Sequence, residues 1–249
     1  MATTILDHYL TAAKNVLESI ASREAANLET AAAAVADAYQ AGHRIYIFGC
    51  THSAILAEDV FYRAGAPAFW QPLWGPGMNI ATTPGFLTSA MERCEEAGRA
   101  IVENSQLQAG DVLLVISTSG KNAAPVAVAA TALQRQASVI VISSSAYREA
   151  RGNHSTIGSL WQLVDRVIMI DNHVPCGDAA IEAGNCPMGP LSTLAGSFLV
   201  HSLSALAVEQ LAGRGIMPPV FLSSNAPGGR EHNEALLNLP GMREKFMLP

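Results

Sequence analysis

Four short runs of this chain are apolar at nearly every position. They are Arg44-Ile-Tyr-Ile-Phe48, Val112-Leu-Leu-Val-Ile116, Ser138-Val-Ile-Val-Ile142 and Val167-Ile-Met-Ile170. A strand with one wet face alternates polar and apolar residues, so a continuous run marks a strand covered on both sides. Segments of helical periodicity, 54–64 and about 123–136, follow the first two runs. Strand, turn and helix repeated in this way predict a parallel sheet between two helical layers. A weaker strand is expected at Ala66–Trp70, which makes five.

Ahead of the first strand, Ile5, Leu6, Tyr9, Leu10, Ala13, Val16, Leu17 and Ile20 recur at helical spacing. Leu28, Ala32, Val35 and Tyr39 continue the pattern after a polar break at Ser22–Arg23, and Gly42 ends it. Residues 2–41 are therefore read as a helical hairpin. Two stretches rich in Pro and Gly, 72–84 and 175–190, are read as long loops. A helix is expected over about 190–212, then an extended tail with a short helix near 231–238. No boundary separates two cores, so the chain is expected to be one domain. It divides into a hairpin (1–41), an α/β core (42–212) and a C-terminal extension (213–249).

Only 14% of the 249 residues are charged and 49% are apolar, which excludes a disordered chain and points to surface that is itself covered, as in an oligomer. The net charge of −6 argues against a nucleic-acid partner. No uninterrupted apolar run approaches the roughly 18 residues of a membrane span, and no signal-peptide pattern opens the chain. Cys50, Cys94, Cys176 and Cys186 form no C-x-x-C pair, and reduced thiols in a cytoplasmic protein are the expectation.

Two strand-to-helix turns concentrate the polar chemistry. Gly49-Cys-Thr-His-Ser53 follows the first strand, and Ser117-Thr-Ser-Gly-Lys-Asn122 follows the second. In a parallel sheet both lie at the carboxyl ends of strands, where ligands of open α/β folds bind. Each opens a helix, so unpaired N–H groups and the positive end of the helix dipole face a ligand there. Ser117, Ser119 and Asn122 add side-chain donors, and Gly120 lets an anion approach the backbone. Ser and Asn also favour helix N-caps, which is the plainer alternative for a single turn. Two such turns in one sheet favour a small phosphorylated ligand. Neither matches a dinucleotide fingerprint or a P-loop, so no organic cofactor is expected.

The two turns, with two helices before them, resemble the sugar isomerase (SIS) domain, and within it the phosphoheptose isomerase-like proteins. Nearer still is an uncharacterised SIS group of this length that shares Ala57-Glu-Asp-Val-Phe-Tyr-Arg-Ala-Gly65 and Glu231-His-Asn-Glu234. The resemblance covers nearly the whole chain. It implies a flavodoxin-like three-layer αβα sandwich with a five-stranded parallel sheet, a homodimer or homotetramer, and a bound sugar phosphate. It also implies Ser53, Ser117, Ser119 and Asn122 as phosphate ligands, helped by the backbone of Thr118 and Gly120. Gly49 and His52 of the first turn are further phosphosugar-binding candidates, His52 for contact with either the phosphate or the sugar. Where the family often carries a second glycine, this chain has Thr51.

Aldose–ketose isomerisation needs a base that moves a proton between C1 and C2 and a group that opens the ring. Glu58 lies five residues past Ser53, whereas the relatives carry their catalytic Glu further on, where this chain has Arg63. His201 sits on an apolar helix where the relatives place a catalytic or zinc-binding His. Their Gln two turns earlier is Thr193 here, a poor zinc ligand, so no metal is assigned. His232, in the polar segment 225–234, is the third candidate, and this tail is expected to reach a neighbouring subunit's site. His154 and Asp178 are secondary candidates, Trp70 and Trp74 are candidates to line a sugar, and His8, His43 and His173 receive no role. The resulting expectation is a sugar-phosphate isomerase; the alternatives are a phosphosugar-sensing module and a phosphosugar lyase or etherase.

Overall fold

The structure, a computed structural model, describes residues 4–246. Helix α1 (Ile5–Arg23) starts with a reciprocal cap. The Thr4 hydroxyl accepts from the Asp7 N–H at 3.2 Å, and the Asp7 carboxylate accepts from the Thr4 N–H at 3.0 Å. Helix α2 (Ala25–Gln40) follows directly and stops before Gly42, whose φ of +79° ends the helical path. The hairpin expected over 2–41 is thus present; its first two residues lie outside the described range.

The five expected strands form one parallel sheet. They are β1 (Ile45–Gly49), β2 (Trp70–Pro72), β3 (Val112–Ile116), β4 (Ser138–Ser143) and β5 (Ile168–Asp171). Their order is β2-β1-β3-β4-β5, the flavodoxin-like order, in which the chain reverses direction across the sheet between β1 and β3. These two strands pair from Ile45 opposite Val112 to Gly49 opposite Ile116. Their turns therefore leave the sheet side by side, about 4.8 Å apart.

Alternate residues of the strands feed two cores. Ile45, Ile47, Leu114, Ile116, Ile140 and Ile170 pack under α1, α2, helix α3 (Ala54–Val60) and the long helix that follows β5. Tyr46, Phe48, Leu113, Val115, Val139 and Val141 face the other layer. That layer contains three helices, α4 (Phe86–Glu92), α5 (Glu95–Glu103) and α6 (Ala123–Gln134). A 3-10 segment, Leu160–Arg166, continues it.

Helix α7 (Ser192–Gly213) is the long one. It has the length and apolar character of a membrane span although no single unbroken run predicts that. Its buried side, from Ala195 through Leu199 and Leu203 to Leu211, packs on the sheet with α2 and α3. It is a core helix of this fold.

Several boundaries depart from the sequence expectation. The helix expected over 54–64 ends at Val60, because the chain turns out through Tyr62 at φ +49°. The strand expected at Ala66–Trp70 begins only at Trp70. Residues 66–68 instead bond across to the tail, with the Ala68 N–H donating to Pro219 O and the Phe221 N–H to Ala66 O. The segment after Pro84 carries α4 and α5, which periodicity alone did not reveal. The 175–190 loop contains a small hairpin, β6 (Ile181–Ala183) and β7 (Cys186–Met188). The tail helices α8 (Gly229–Leu237) and α9 (Met242–Phe246) close a small cluster of Ala68, Phe221, Leu236 and Met242.

Candidate functional site

The first turn is a tight bend in which no side chain fits at Gly49. A Cβ there would lie 2.5 Å from the Ser53 carbonyl carbon and 2.9 Å from Ala54 N. Thr51 takes φ +52°, a strained region for a β-branched residue, and its N–H donates to Met78 O at 2.6 Å. Cys50 is buried against the Met78 sulfur at 3.6 Å, and burial pushes its thiol well above the usual range. His52 is exposed and Ser53 half-buried at the mouth.

The second turn is held from within. The Ser117 hydroxyl is buried and accepts from the Gly120 N–H at 3.3 Å. Gly120 has φ +62°, and a Cβ there would lie 2.6 Å from Ser143 Oγ. Thr118 is turned toward β5, where its hydroxyl accepts from the Asn172 amide at 3.0 Å. Ser119 and Asn122 are half-buried. Neither Ser53 nor Asn122 caps its helix through its side chain. The plain N-cap explanation therefore fails at both turns; the Asn122 side-chain oxygen instead accepts from the Asn153 amide at 3.4 Å, and both side chains stand at helix N-termini.

The structure separates the three acid–base candidates. Glu58 is exposed, whereas the next residue, Asp59, faces inward. Asp59 Oδ2 accepts from Ser197 Oγ at 3.0 Å and is 2.9 Å from His201 Nε2, and Arg63 pairs with Oδ1. Burial by itself raises the Asp59 carboxyl. The hydrogen bonds from His201 and Ser197, then the Arg63 charge, outweigh it and hold the group below its ordinary value. A carboxylate orienting an imidazole is an arrangement suited to proton transfer. Asp59 lies about 9 Å along the helix from Ser53, six residues at 1.5 Å each. Spacing drew attention to this helix, but only the fold reveals which of two adjacent carboxylates faces α7.

His232 stands elsewhere. Its Nε2 is 3.0 Å from Val220 O, in the tail that packs against residues 66–68 at the amino end of β2. Within one chain this is the opposite end of the sheet from the two turns. Asp178 accepts from the Leu191 and Ser192 N–H groups at 2.7 and 3.0 Å, so it caps α7. His154 is exposed in its loop. Trp70 is fully buried, with its indole N–H on Ser204 Oγ at 2.8 Å. Trp74 lines an apolar pocket of about 440 Å³ with Leu73, Met78, Met91 and Ile101. His173, given no role from sequence, is 3.0 Å from Glu24 Oε1 and 3.4 Å from Asp171, and ties the helical hairpin to β5.

One residue escaped sequence reasoning. Glu92 ends α4, is half-buried, and the titration of its carboxyl is influenced by Asn122 and His52. Burial raises it above the ordinary glutamate range. The Asn122 hydrogen bond and the charges of Arg93 and His52 reduce that shift without cancelling it. No motif flags it, because α4 itself was not recognised. Among the described residues, no three His, Cys, Asp or Glu side chains are grouped to hold a metal ion.

A family model described as the SIS domain matches residues 8–144, more than half of the chain and both turns. The chain belongs to the SIS domain family. Relatives of this SIS chain include a UPF0309 protein of Streptomyces griseus, 38% identical over 229 residues and 90% of both chains. Another, from Shouchella clausii, is 36% identical over 213 residues, 84% of this chain and 86% of that one. Among solved structures, phosphoheptose isomerase from Neisseria gonorrhoeae superposes with a TM-score of 0.56 at 15% identity. It covers 81% of this chain and 96% of its own. The Vibrio vulnificus NanR protein complexed with ManNAc-6P gives 0.53 at 17% identity, covering 96% and 70%. These structures share the fold of this SIS chain.

Proposed function

We propose that this SIS protein binds a sugar phosphate in the crevice between its two turns and interconverts the aldose and ketose forms. The observation that carries the reading is the convergence of the turns. Gly49 and Ile116 are register partners, so both turns face one crevice at the reversal point of the sheet. Ser53 and Asn122 stand there with side chains not used for capping. In this reading the phosphate sits at the start of α6, held by the hydroxyl of Ser119, the Asn122 amide and the Thr118–Gly120 backbone. Ser53 closes on it from α3, and buried Ser117 keeps the turn in shape. The sugar then extends along α3 toward His201, which Asp59 holds in a fixed orientation for opening the ring. The similarity to isomerases and to a protein complexed with a sugar phosphate agrees with this chemistry.

The active unit is proposed to be a homo-oligomer. His201 is a third exposed, and Leu194 and Phe198 on the same helix are exposed apolar residues. A second copy laid there would exclude water from the imidazole.

Incubation with pentose, hexose and heptose phosphates tests the reading. Ketose formation is expected, and Ser119→Ala is expected to weaken binding by about 1–3 kcal/mol. Binding without turnover would identify a sensor, and loss of a side group a lyase. Unchanged affinity in Ser119→Ala would remove the second turn from the site.

A further inference from the structure

We infer that Asn153, on the loop after β4, is a positioning residue for the second turn: it holds the Asn122 side-chain oxygen and so leaves the donor end of that amide to the phosphate. The inference rests on the sugar-phosphate reading above and names within it a residue that no motif marks.

The second turn carries carbonyl oxygens as well as N–H groups, and an oxygen aimed at an anion repels it. Partners from outside the turn take up four of these acceptors. The Thr118 carbonyl accepts from the Ser144 N–H at 2.9 Å and from the Ser143 hydroxyl at 3.2 Å. The Gly120 carbonyl accepts from the Leu160 N–H at 2.7 Å, and the Lys121 carbonyl from the Asn153 N–H at 2.6 Å. The fourth is the side-chain oxygen of Asn122, to which the Asn153 amide donates at 3.4 Å. The end of β4 and the loop beyond it thus collar the turn from behind and leave its donors unopposed.

An amide presents either its oxygen or its N–H2 group, and the neighbour that binds one end decides which end a ligand meets. The loop does not need the Asn153 side chain to keep its place. The Asn153 N–H already joins it to the turn as a short parallel bridge, and the Leu160 N–H joins it again. Thr156 fastens the loop to α5, its N–H and hydroxyl both donating to the Glu95 carboxylate at 2.5 and 2.7 Å. Gly152 lies so close to Gly158 that a side chain there would strike the Gly158 carbonyl. The half-buried Asn153 side chain is therefore surplus to anchoring, and its effect falls on Asn122. At 3.4 Å the bond is long and adds little stability of its own. Its consequence is direction: without it the incoming anion must turn the amide itself, at the expense of affinity.

A double-mutant cycle in the intact protein tests the assignment. Inorganic phosphate is titrated by calorimetry into wild type, Asn153→Leu, Asn153→Asp, Asn122→Ala and the two double variants, with a thermal melt of each. Asn153→Leu keeps the backbone bonds and the side-chain volume but cannot donate, and is expected to weaken phosphate by about threefold to tenfold. Asn153→Asp should weaken it further, because a carboxylate takes the N–H2 end of Asn122 and turns the oxygen toward the crevice. In the Asn122→Ala background Asn153→Leu should change affinity by less than about twofold, and Asn153→Asp should lose most of its effect. A residue that merely anchors the loop would weaken phosphate equally with and without the Asn122 amide, and that result overturns the role. Wild-type affinity in both Asn153 variants overturns it as well. If Asn122→Ala binds phosphate as wild type does while Ser119→Ala binds it less well, this role alone falls. If wild type binds no phosphate, the sugar-phosphate reading and this role fall together.

Discussion

Gly49→Ala tests whether the first turn is as rigid as its geometry requires. The added methyl carbon would fall 2.5 Å from the Ser53 carbonyl carbon and 2.9 Å from Ala54 N. Ordinary carbon contacts are about 3.5 Å or more. All the obstructing atoms are backbone, so no side chain can swing aside. The start of α3 must retreat by about 1 Å, or β1 must leave its register with β3 at Gly49 and Ile116. Overpacking of this kind costs about 1–3 kcal/mol, which for a chain of this size lowers the melting temperature by roughly 2–12 °C. A displacement of 1 Å in a reacting geometry costs about 100-fold in rate. Ser53 moves with the turn, so the sugar-phosphate turnover proposed above should fall by about that factor. Gly213→Ala serves as the control, because a methyl there meets nothing within 4 Å. It should gain up to about 1 kcal/mol as a better helix former. Thermal melts and turnover of both variants decide the matter. A Gly49→Ala protein with wild-type stability and turnover would refute the claim that this turn is fixed by backbone packing.

Three further outcomes follow from the same geometry. Thr51→Gly removes a β-branched residue from φ +52°, so it should stabilise by about 1 kcal/mol, seen as a higher melting temperature, instead of the loss usual for glycine. Asp59→Ala should cost about 2 kcal/mol at neutral pH, through the lost bonds from His201 and Ser197. Asp59 titrates below its unfolded value, so its contribution is present above pH 4 and disappears as pH falls further; melts of wild type and variant should converge in acid. Glu24→Ala strips a buried carboxylate from His173, Asn27 and the Asp171 N–H, and urea unfolding should record a loss of about 3–5 kcal/mol.

The parallel sheet was legible because both of its faces are covered. Runs such as Val112–Ile116 are apolar at every position, and only one architecture suits a series of them. The turns were legible for a related reason, since each lies between an unmistakable strand and helix. Legibility ended where local pattern stops determining contact. Helix α4 is seven residues long with a single buried residue, Thr88, so it offers no stripe to read, and Glu92 at its end stayed invisible. Glu58 and Asp59 are adjacent and chemically alike. The choice between them depends on where α7 crosses α3, which is a tertiary fact. His232 lies in a segment whose composition suggests a working loop, but its ring is tied to Val220 O by the docking of the tail at the amino end of β2.

The reversal between β1 and β3 has a consequence for how such a crevice changes over generations. Its two walls hang from different hydrophobic layers, α3 from the one containing Ile20 and Leu203 and α6 from the one containing Val102 and Leu163. Repacking one layer shifts one wall and leaves the other in place, with the strands as a common spine. A lineage can therefore keep its grip on the charged end of a ligand while trying new shapes against the uncharged end, one buried side chain at a time.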